Sequence, residues 1–472
     1  MLQTTPLLKD IDTTTEEKLI CQLETYTRQE TEVTIGEYIF RRILQLGVKS
    51  VFGVPGDFNL RWLEQIYKVT GLNWIGCCNE LNAAYAADAY AKTSQNIGVV
   101  LTTYGVGELS ALNGIAGAYT EYAPVLHLVG TSAMKFKRNP KTLNIHHLAG
   151  DKKNYKKSDH YKYERIAAEF ACDTASIEED MDEACEMIDR VILNVWRNSR
   201  PGYIFLPCDL PEVKIPAKRL EQPINLSYDL HNSAEKIDRC VDEILDRMYR
   251  SRNMSVLVDD FVRKFRVENE FNQLLGKLDN KANIFSTFNA KGIVDEYKNT
   301  RFMGTYFGKF EKAVAELIEA SDLVLHIGKF EHELNCGAFT FNIPSENLII
   351  LSSQYIQIGD KFDESLTMME VLPVLIDRLE TIKLSSANIY QAPAKYYEVS
   401  ETSRPRVSSL HQDDLIESLN KNLKEDDVLI VETCSFLFAV PDMTMRRSKL
   451  IIQSYWASIG YALPATLGAS LA

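Results

Sequence analysis

The 472-residue chain has no apolar run near 18 residues, so no stretch of it reads as a membrane-spanning helix. Histidine is scarce, with eight in all, and no His/Cys cluster has zinc-ligand spacing. The nine cysteines are scattered, and only Cys77 and Cys78 are close together. Adjacent cysteines rarely bridge each other, so buried, reduced thiols of a cytoplasmic protein are expected. Positive charge is also short: 52 Lys and Arg stand against 65 Asp and Glu, a net charge of −13. That balance argues against nucleic acid or an anionic membrane as the main partner. Residues 1–30 are rich in Thr, Glu and Lys and lack the apolar core of a signal peptide. What remains is a chain of ordinary globular composition, 45% hydrophobic and 25% charged. Its length calls for two or three domains.

The pattern from Thr34 onward alternates helices with short strands. Helical spacing marks residues 35–46, and a strand over 50–54 ends in Pro55-Gly56-Asp57. Leu60, Leu63, Ile66 and Tyr67 predict one helical face. A strand near 74–76 precedes an Ala-rich helix over 82–92. The continuous apolar runs at 98–102 and 125–129 read as strands buried on both faces. Alternation of this kind implies α/β architecture with doubly wound parallel sheets. A first domain over 31–220 is expected, with a strand at 203–206 near its end. A second over 234–384 has strands at 255–258, 283–285, 323–327 and 348–351; lacking a dinucleotide-type Gly loop, it reads as a spacer. A third begins near residue 405 and reaches Ala472 after roughly 65 residues, short for a separate core. It reads as an incomplete third domain, closed by a helix apolar almost all round that expects neighbours on every side.

Four side chains invite a chemical reading. Asp57 follows a Pro-Gly turn, where it can cap a helix or point into the crevice at the ends of the strands. Glu80 stands between a strand and the Ala-rich helix, where the helix dipole favours it. Its apolar neighbours Trp74, Ile75, Leu81 and Tyr85 would instead demand a hydrogen-bonded partner or a held proton. His146 and His147 lie in a lysine-rich segment, 135–163, that reads either as a solvated loop or as a lid carrying a proton shuttle. The stretch from Thr102 to Glu108 is a small-residue turn directly after a strand.

Taken together, Val51-Phe52-Gly53-Val54-Pro55-Gly56-Asp57-Phe58-Asn59-Leu60, Asn79-Glu80-Leu81-Asn82-Ala83-Ala84-Tyr85-Ala86-Ala87-Asp88 and Thr103-Tyr104-Gly105-Val106-Gly107-Glu108-Leu109-Ser110 resemble the pyruvate decarboxylase family of thiamin-diphosphate enzymes. The resemblance runs from about Thr34 to the last residue. It implies a pyrimidine-binding, a central and a diphosphate-binding domain, a 2-oxo-acid substrate, and a site shared between two subunits of a homodimer or tetramer. It implies that Glu80 holds the aminopyrimidine of the cofactor and that Asp57, His146 and His147 relay protons. Glu432-Thr433-Cys434-Ser435 is similar to a family segment reading Glu-Thr-Gly-Thr, so Thr433 and Ser435 would approach the diphosphate. Trp456-Ala457-Ser458-Ile459-Gly460 is similar to one with Gly at position 457. There the Ala457 carbonyl would meet the aminopyrimidine and Ile459 would wedge the cofactor into its bent form.

Three positions depart from the family pattern. Cys434 is expected to be strained if its turn needs φ > 0, whereas Ala457 keeps its carbonyl and is expected to be harmless. Ala89, where the family has Gly, should be tolerated on a helix. The family's Gly-Asp-Gly and Asn-Asn magnesium ligands do not occur in the sequence, so the ligands for Mg2+ are expected beyond Ala472. Asn144-Ile145-His146-His147-Leu148 and Pro201-Gly202-Tyr203-Ile204-Phe205 look like the fungal phenylpyruvate and indolepyruvate branch. No thiol stands where the pyruvate branch has its regulatory cysteine, within 256–261. A non-catalytic regulatory relative and a flavin-containing carboligase are the alternatives, the second disfavoured by the paired histidines.

Overall fold

A computed structural model describes residues 31–139, 144–151, 158–178, 180–386, 390, 392 and 409–472. The tail before residue 31, the lysines at 152, 153, 156 and 157 and most of the 385–404 linker lie outside the described residues. Among the described residues, no helix is long and apolar enough to cross a membrane.

The two continuous apolar runs form strands Gly98–Thr103 and Val125–Thr131, buried at every position. They stand at the centre of a six-stranded parallel sheet. Its order is Asn73–Gly76, Ser50–Gly53, Gly98–Thr103, Val125–Thr131, Gly202–Pro207, Asp173–Ser176. Chain order reverses beside Ser50–Gly53, which has the second strand on one side and the third on the other. At such a reversal the connections leave in opposite directions and open a crevice at the carboxyl ends of the strands. The segments after Gly53 and Thr103 therefore border it.

Two local expectations fail here. Asp57 caps no helix: the helix Leu60–Leu63 starts after Asn59, whose side chain accepts from the Gly56 N–H at 2.8 Å and donates to the Val54 carbonyl at 3.1 Å. The stripe of Leu60, Leu63, Ile66 and Tyr67 also breaks, because after one α-turn the chain tightens into a 3-10 helix, Glu64–Lys68. Three residues per turn rotate the stripe, so Leu60 and Tyr67 are exposed while Trp62, Leu63 and Ile66 are buried.

The second sheet has seven strands in the order Phe302–Thr305, Asn283–Ser286, Met254–Val258, Leu323–Ile327, Leu348–Leu351, Ile356–Ile358, Lys361–Asp363. The first five are parallel, and the last two add an antiparallel edge. Its own reversal point, beside Met254–Val258, is filled from within. The Asp259 carboxylate accepts from Thr287 at 2.7 Å, Asn335 at 2.9 Å, the Phe330 N–H at 2.9 Å and His326 at 3.1 Å. Burial pushes this carboxyl up, but those bonds outweigh it and hold it below the usual range, while burial lowers the His326 imidazole against the pull of Asp259.

Residues 409–472 form helix Gln412–Asn422, a two-stranded parallel sheet of Val428–Ile430 and Lys449–Ile451, and helix Ala462–Ser470. They bridge the two larger sheets. On one side Tyr461 and Ala465 pack with Tyr85, Ala89 and Ile451, so the Ala89 methyl is absorbed by the contact. On the other, the Glu296 N–H donates to the Met445 carbonyl and its carboxylate accepts the Met445 N–H, each at 3.0 Å. The last helix, apolar almost all round, is covered on its small-residue face, while Leu463 and Leu467 are exposed, in keeping with an incomplete third domain. The cysteine expectation holds for Cys185 and Cys336, which are buried, but not for Cys78 and Cys434, which are exposed.

In the last helix Gly468 packs against helix Glu80–Ser94, and a Cβ there would lie 1.8 Å from the Ala86 carbonyl oxygen. Backbone cannot yield as a flexible side chain would, so Gly468→Ala should cost roughly 1–3 kcal/mol through overpacking. Thermal unfolding checks this; a variant with unchanged Tm would show that the helices separate without cost.

Candidate active site

Strand Ser50–Gly53 delivers Asp57 to the crevice, half-exposed, and His146 Nε2 hydrogen-bonds to its Oδ2. His147 joins them: one ring nitrogen of each histidine and one Asp57 oxygen all lie within 4.8 Å of one another. Phe58, the residue after Asp57, stacks on His146 with ring centres 4.9 Å apart and lies 5.8 Å from His147.

The histidines are set by their backbone. His147 has φ 66°, a left-handed conformation that costs a non-glycine residue about 1–2 kcal/mol. Tyr163 secures it, donating to the His147 carbonyl at 2.9 Å and accepting the Ala149 N–H at 2.7 Å. The same carbonyl sits over Gly105, φ 64°, where a Cβ would lie only 2.3 Å from it. Two residues on, a Cβ on Gly107 would lie 3.0 Å from Glu80 Oε1. Asp57, His146 and His147 thus gather at one side of the turn that follows Thr103, and Glu80 lies against the same turn. Glu80 begins helix Glu80–Ser94, whose cap is Asn79, bonded to the Leu81 N–H at 2.9 Å.

Sequence reasoning passed over Glu108, which underpins this turn. Its Oε1 accepts the Gly105 N–H at 2.7 Å, and burial pushes its carboxyl up to about 8. The spacing of Gly105 and Glu108 is that of a capping box, which is the signal that could have found it.

The second group of expected residues lines a separate cleft of about 770 Å³. Thr433 and Ala457 are on its wall with Phe307, Phe310, His332, Leu437, Phe438 and Tyr455. Ser435 and Ile459 are exposed beside it rather than lining it. His332 was not foreseen: burial lowers its imidazole to about 3, and it stacks on Tyr455 with ring centres 4.7 Å apart. Glu121, also unforeseen, fixes the cleft to the first sheet, accepting the N–H groups of Tyr455 at 2.7 Å and Trp456 at 2.9 Å.

The two departures near the cleft exchange their expected costs. Cys434 is extended at φ −159°, a conformation open to any residue. Ala457 has φ 59°, so it is the alanine that carries left-handed strain. As a test of fit to a diphosphate, residues Ser435–Asp442 form a 3-10 helix whose start presents N–H groups, with the Ser435 hydroxyl exposed beside them. Thr433 Oγ1 meanwhile donates to the Gln453 carbonyl at 3.2 Å. That arrangement suits an anion. Among the described residues, the His, Cys, Asp and Glu groups close enough together to share a metal ion are Asp57, His146 and His147, on the other sheet.

A doubly wound sheet with carboxylate, paired histidines and a glutamate at its reversal point defines a ligand-binding α/β enzyme domain. Residues 33–152 match the thiamine pyrophosphate enzyme N-terminal TPP binding domain, and residues 241–379 match the central domain of the same enzymes. The chain is 37% identical over 484 residues to the transaminated amino acid decarboxylase of Saccharomyces cerevisiae, covering 97% of this chain and 76% of that one. It is 35% identical to pyruvate decarboxylase isozyme 3 of the same yeast and 36% identical to the pyruvate decarboxylase of Hanseniaspora uvarum. Each of those matches covers 94% of this chain and 76% of the relative. The chain belongs to the thiamine pyrophosphate-dependent 2-oxo-acid decarboxylases.

Glu108 ties the site to pH. Its folded-state carboxyl titrates near 8 against an ordinary value of 4.5, so the folded protein keeps a proton that the unfolded chain releases. Stability therefore falls as pH rises from about 4.5 to about 8, by up to a few kcal/mol. Glu108→Gln keeps an oxygen for the Gly105 N–H and cannot ionise. Its Tm should decline less over that window than that of the unsubstituted protein, and parallel Tm curves would refute the assignment.

Proposed function

We propose that this chain decarboxylates 2-oxo acids with bulky apolar or aromatic side chains, of the phenylpyruvate or indolepyruvate type, releasing an aldehyde and carbon dioxide. The observation that carries the chemistry is the Asp57–His146 hydrogen bond, with His147 beside it and Glu80 on the same turn. When bound, thiamin diphosphate would supply a nucleophilic carbon and an electron sink for the bonding pair that the departing carboxylate leaves behind. Glu80 would hold the aminopyrimidine. Thr433, Ser435 and the Ala457 carbonyl would hold its other parts, with Ile459 against the ring; no described residue is assigned to Mg2+. Asp57 and His146 share a proton across their hydrogen bond, and His147 stands ready to pass one on, so the three return a proton once carbon dioxide has left.

The substrate class is supported by Phe307, Phe310, Leu437 and Phe438 on the cleft wall, which favour a large apolar group. The relay residues and the cleft share no lining residue, which supports a site completed by a second copy of the chain. We assign residues 31–220 to pyrimidine binding, 234–384 to the central domain and 405–472 to diphosphate binding, in a cytoplasmic enzyme of amino-acid catabolism.

Carbon dioxide release from phenylpyruvate and pyruvate, with thiamin diphosphate and Mg2+ supplied, tests the reading. Phenylpyruvate should give the higher kcat/KM. Glu80→Gln, Asp57→Asn and His146→Gln should each lower kcat by roughly 10²–10⁴-fold with the fold intact. Turnover unaffected by all three would sink the assignment. Sedimentation should give a dimer or larger at assay concentration; an active monomer would contradict the shared site.

A further inference from the structure

We propose that Asp57, His146 and His147 form a binding site for a zinc-class transition-metal ion, and that such an ion would inhibit the protein by occupying the atoms that carry protons. The site is distinct from the Mg2+ that accompanies thiamin diphosphate.

The donor set points to this chemistry. Two imidazoles and one carboxylate suit Zn2+, Co2+ or Ni2+, whereas Mg2+ takes oxygen ligands and keeps much of its water. Three ligands leave a fourth position open for water, as in zinc sites that are not purely structural. The geometry is close to what an ion needs. Bonds of 2.0–2.1 Å set tetrahedral donors about 3.3–3.5 Å apart, and the three donor atoms already lie within 4.8 Å of one another. The remaining adjustment falls on Asp57 and His146, whose side chains are 52% and 60% exposed. His147 is the fixed member. Its backbone is held by Tyr163 and Gly105, and its Nδ1 is buried without a hydrogen-bond partner among the described residues. Phe58 confines both rings. Metal sites rely on such outer contacts to orient their histidines.

Bound between His146 Nε2 and Asp57, the ion would displace the proton through which the imidazole meets the carboxylate. Inhibition is the one consequence that rests on the relay reading; binding does not. Zn2+ is titrated into chelator-treated whole protein against a chromophoric chelator, and Co2+ is followed by its visible spectrum. One ion per chain is expected, with the intense absorption of a four-coordinate Co2+ site. Asp57→Asn and His146→Gln should each weaken Zn2+ binding at least tenfold, with circular dichroism showing both folded. His411→Gln, on a helix of the third segment, should bind as the unsubstituted protein does. Equal affinity in all four proteins, or no retained ion, overturns the proposal. Binding at the triad in a protein that does not release carbon dioxide would refute the functional reading and leave the metal site standing. Turnover insensitive to Zn2+ in a protein that lacks the binding would refute the metal site alone.

Discussion

The left-handed turn at Gly105 is the constraint on which the grouping of Asp57, His146 and His147 depends. It lets the His147 carbonyl approach where any side chain would collide, at 2.3 Å. Its N–H is taken up by Glu108, and two residues later Gly107 makes room for the Glu80 carboxylate. A single bend after strand Gly98–Thr103 thus sets the positions of groups contributed by three separate stretches of chain. His147 mirrors the bend with its own positive φ, which Tyr163 stabilises through two hydrogen bonds. Strain of about 1–2 kcal/mol at a residue like this persists only where neighbours determine it from several sides.

A second constraint joins the sheets. Residues 409–472 have a small core of their own around Ile416, Ala439 and Met443, and are tied to both sheets by what they touch: Ala86 under Gly468, Thr93 under Lys449 at 2.5 Å, Glu121 under Tyr455 and Trp456, and Glu296 across from Met445. Most of these contacts use backbone groups, which leaves little freedom for the cleft to shift relative to the first sheet. The Tyr85 hydroxyl adds a bond to Ser458 at 2.8 Å, placing the 456–459 segment beside the helix that Glu80 begins.

Much of this architecture was legible because buried parallel strands are written as unbroken apolar runs. Gly98–Thr103 and Val125–Thr131 were readable for that reason, and they centre the sheet that holds the relay. Phe302–Thr305 and Asp173–Ser176 were missed, being four-residue edge strands whose pairing is decided by neighbours far along the chain. Asp57 was legible as a site position from the motif around it, yet its local alternative, helix capping, belongs to the region of Asn59. Capping depends on where the helix starts, which shifted by two residues. The inversion at Cys434 and Ala457 has the same origin. A residue type tells what a left-handed turn would cost, while the φ angle itself is set by the packing of the segment, here by the bonds from Trp456 and Tyr455 to Glu121. Glu108 went unnoticed because Gly105 has no side chain to complete a capping box, so the three-residue spacing alone announces the bond.

The two large sheets carry the same device to different ends. In each, an aspartate follows the first strand at the point where chain order reverses. Asp259 is 1% exposed and meets five neighbouring donors, the Asp260 N–H among them, so its charge is spent inside the fold and the crevice is closed. Asp57 is half-exposed and has His146 as its bonded neighbour. A carboxylate with every lone pair engaged stabilises a core, whereas one with lone pairs to spare can take a proton or a ligand. The difference comes from what the following loops contribute. Beyond Leu323–Ile327 the chain supplies Phe330 and Asn335 as donors to Asp259, while beyond Val125–Thr131 it supplies His146, bonded to Asp57, and His147, whose buried Nδ1 has no hydrogen-bond partner among the described residues. One fold therefore yields a sealed crevice in the central domain and an open one in the first domain without any change in sheet design, the difference lying in how many donors each aspartate meets.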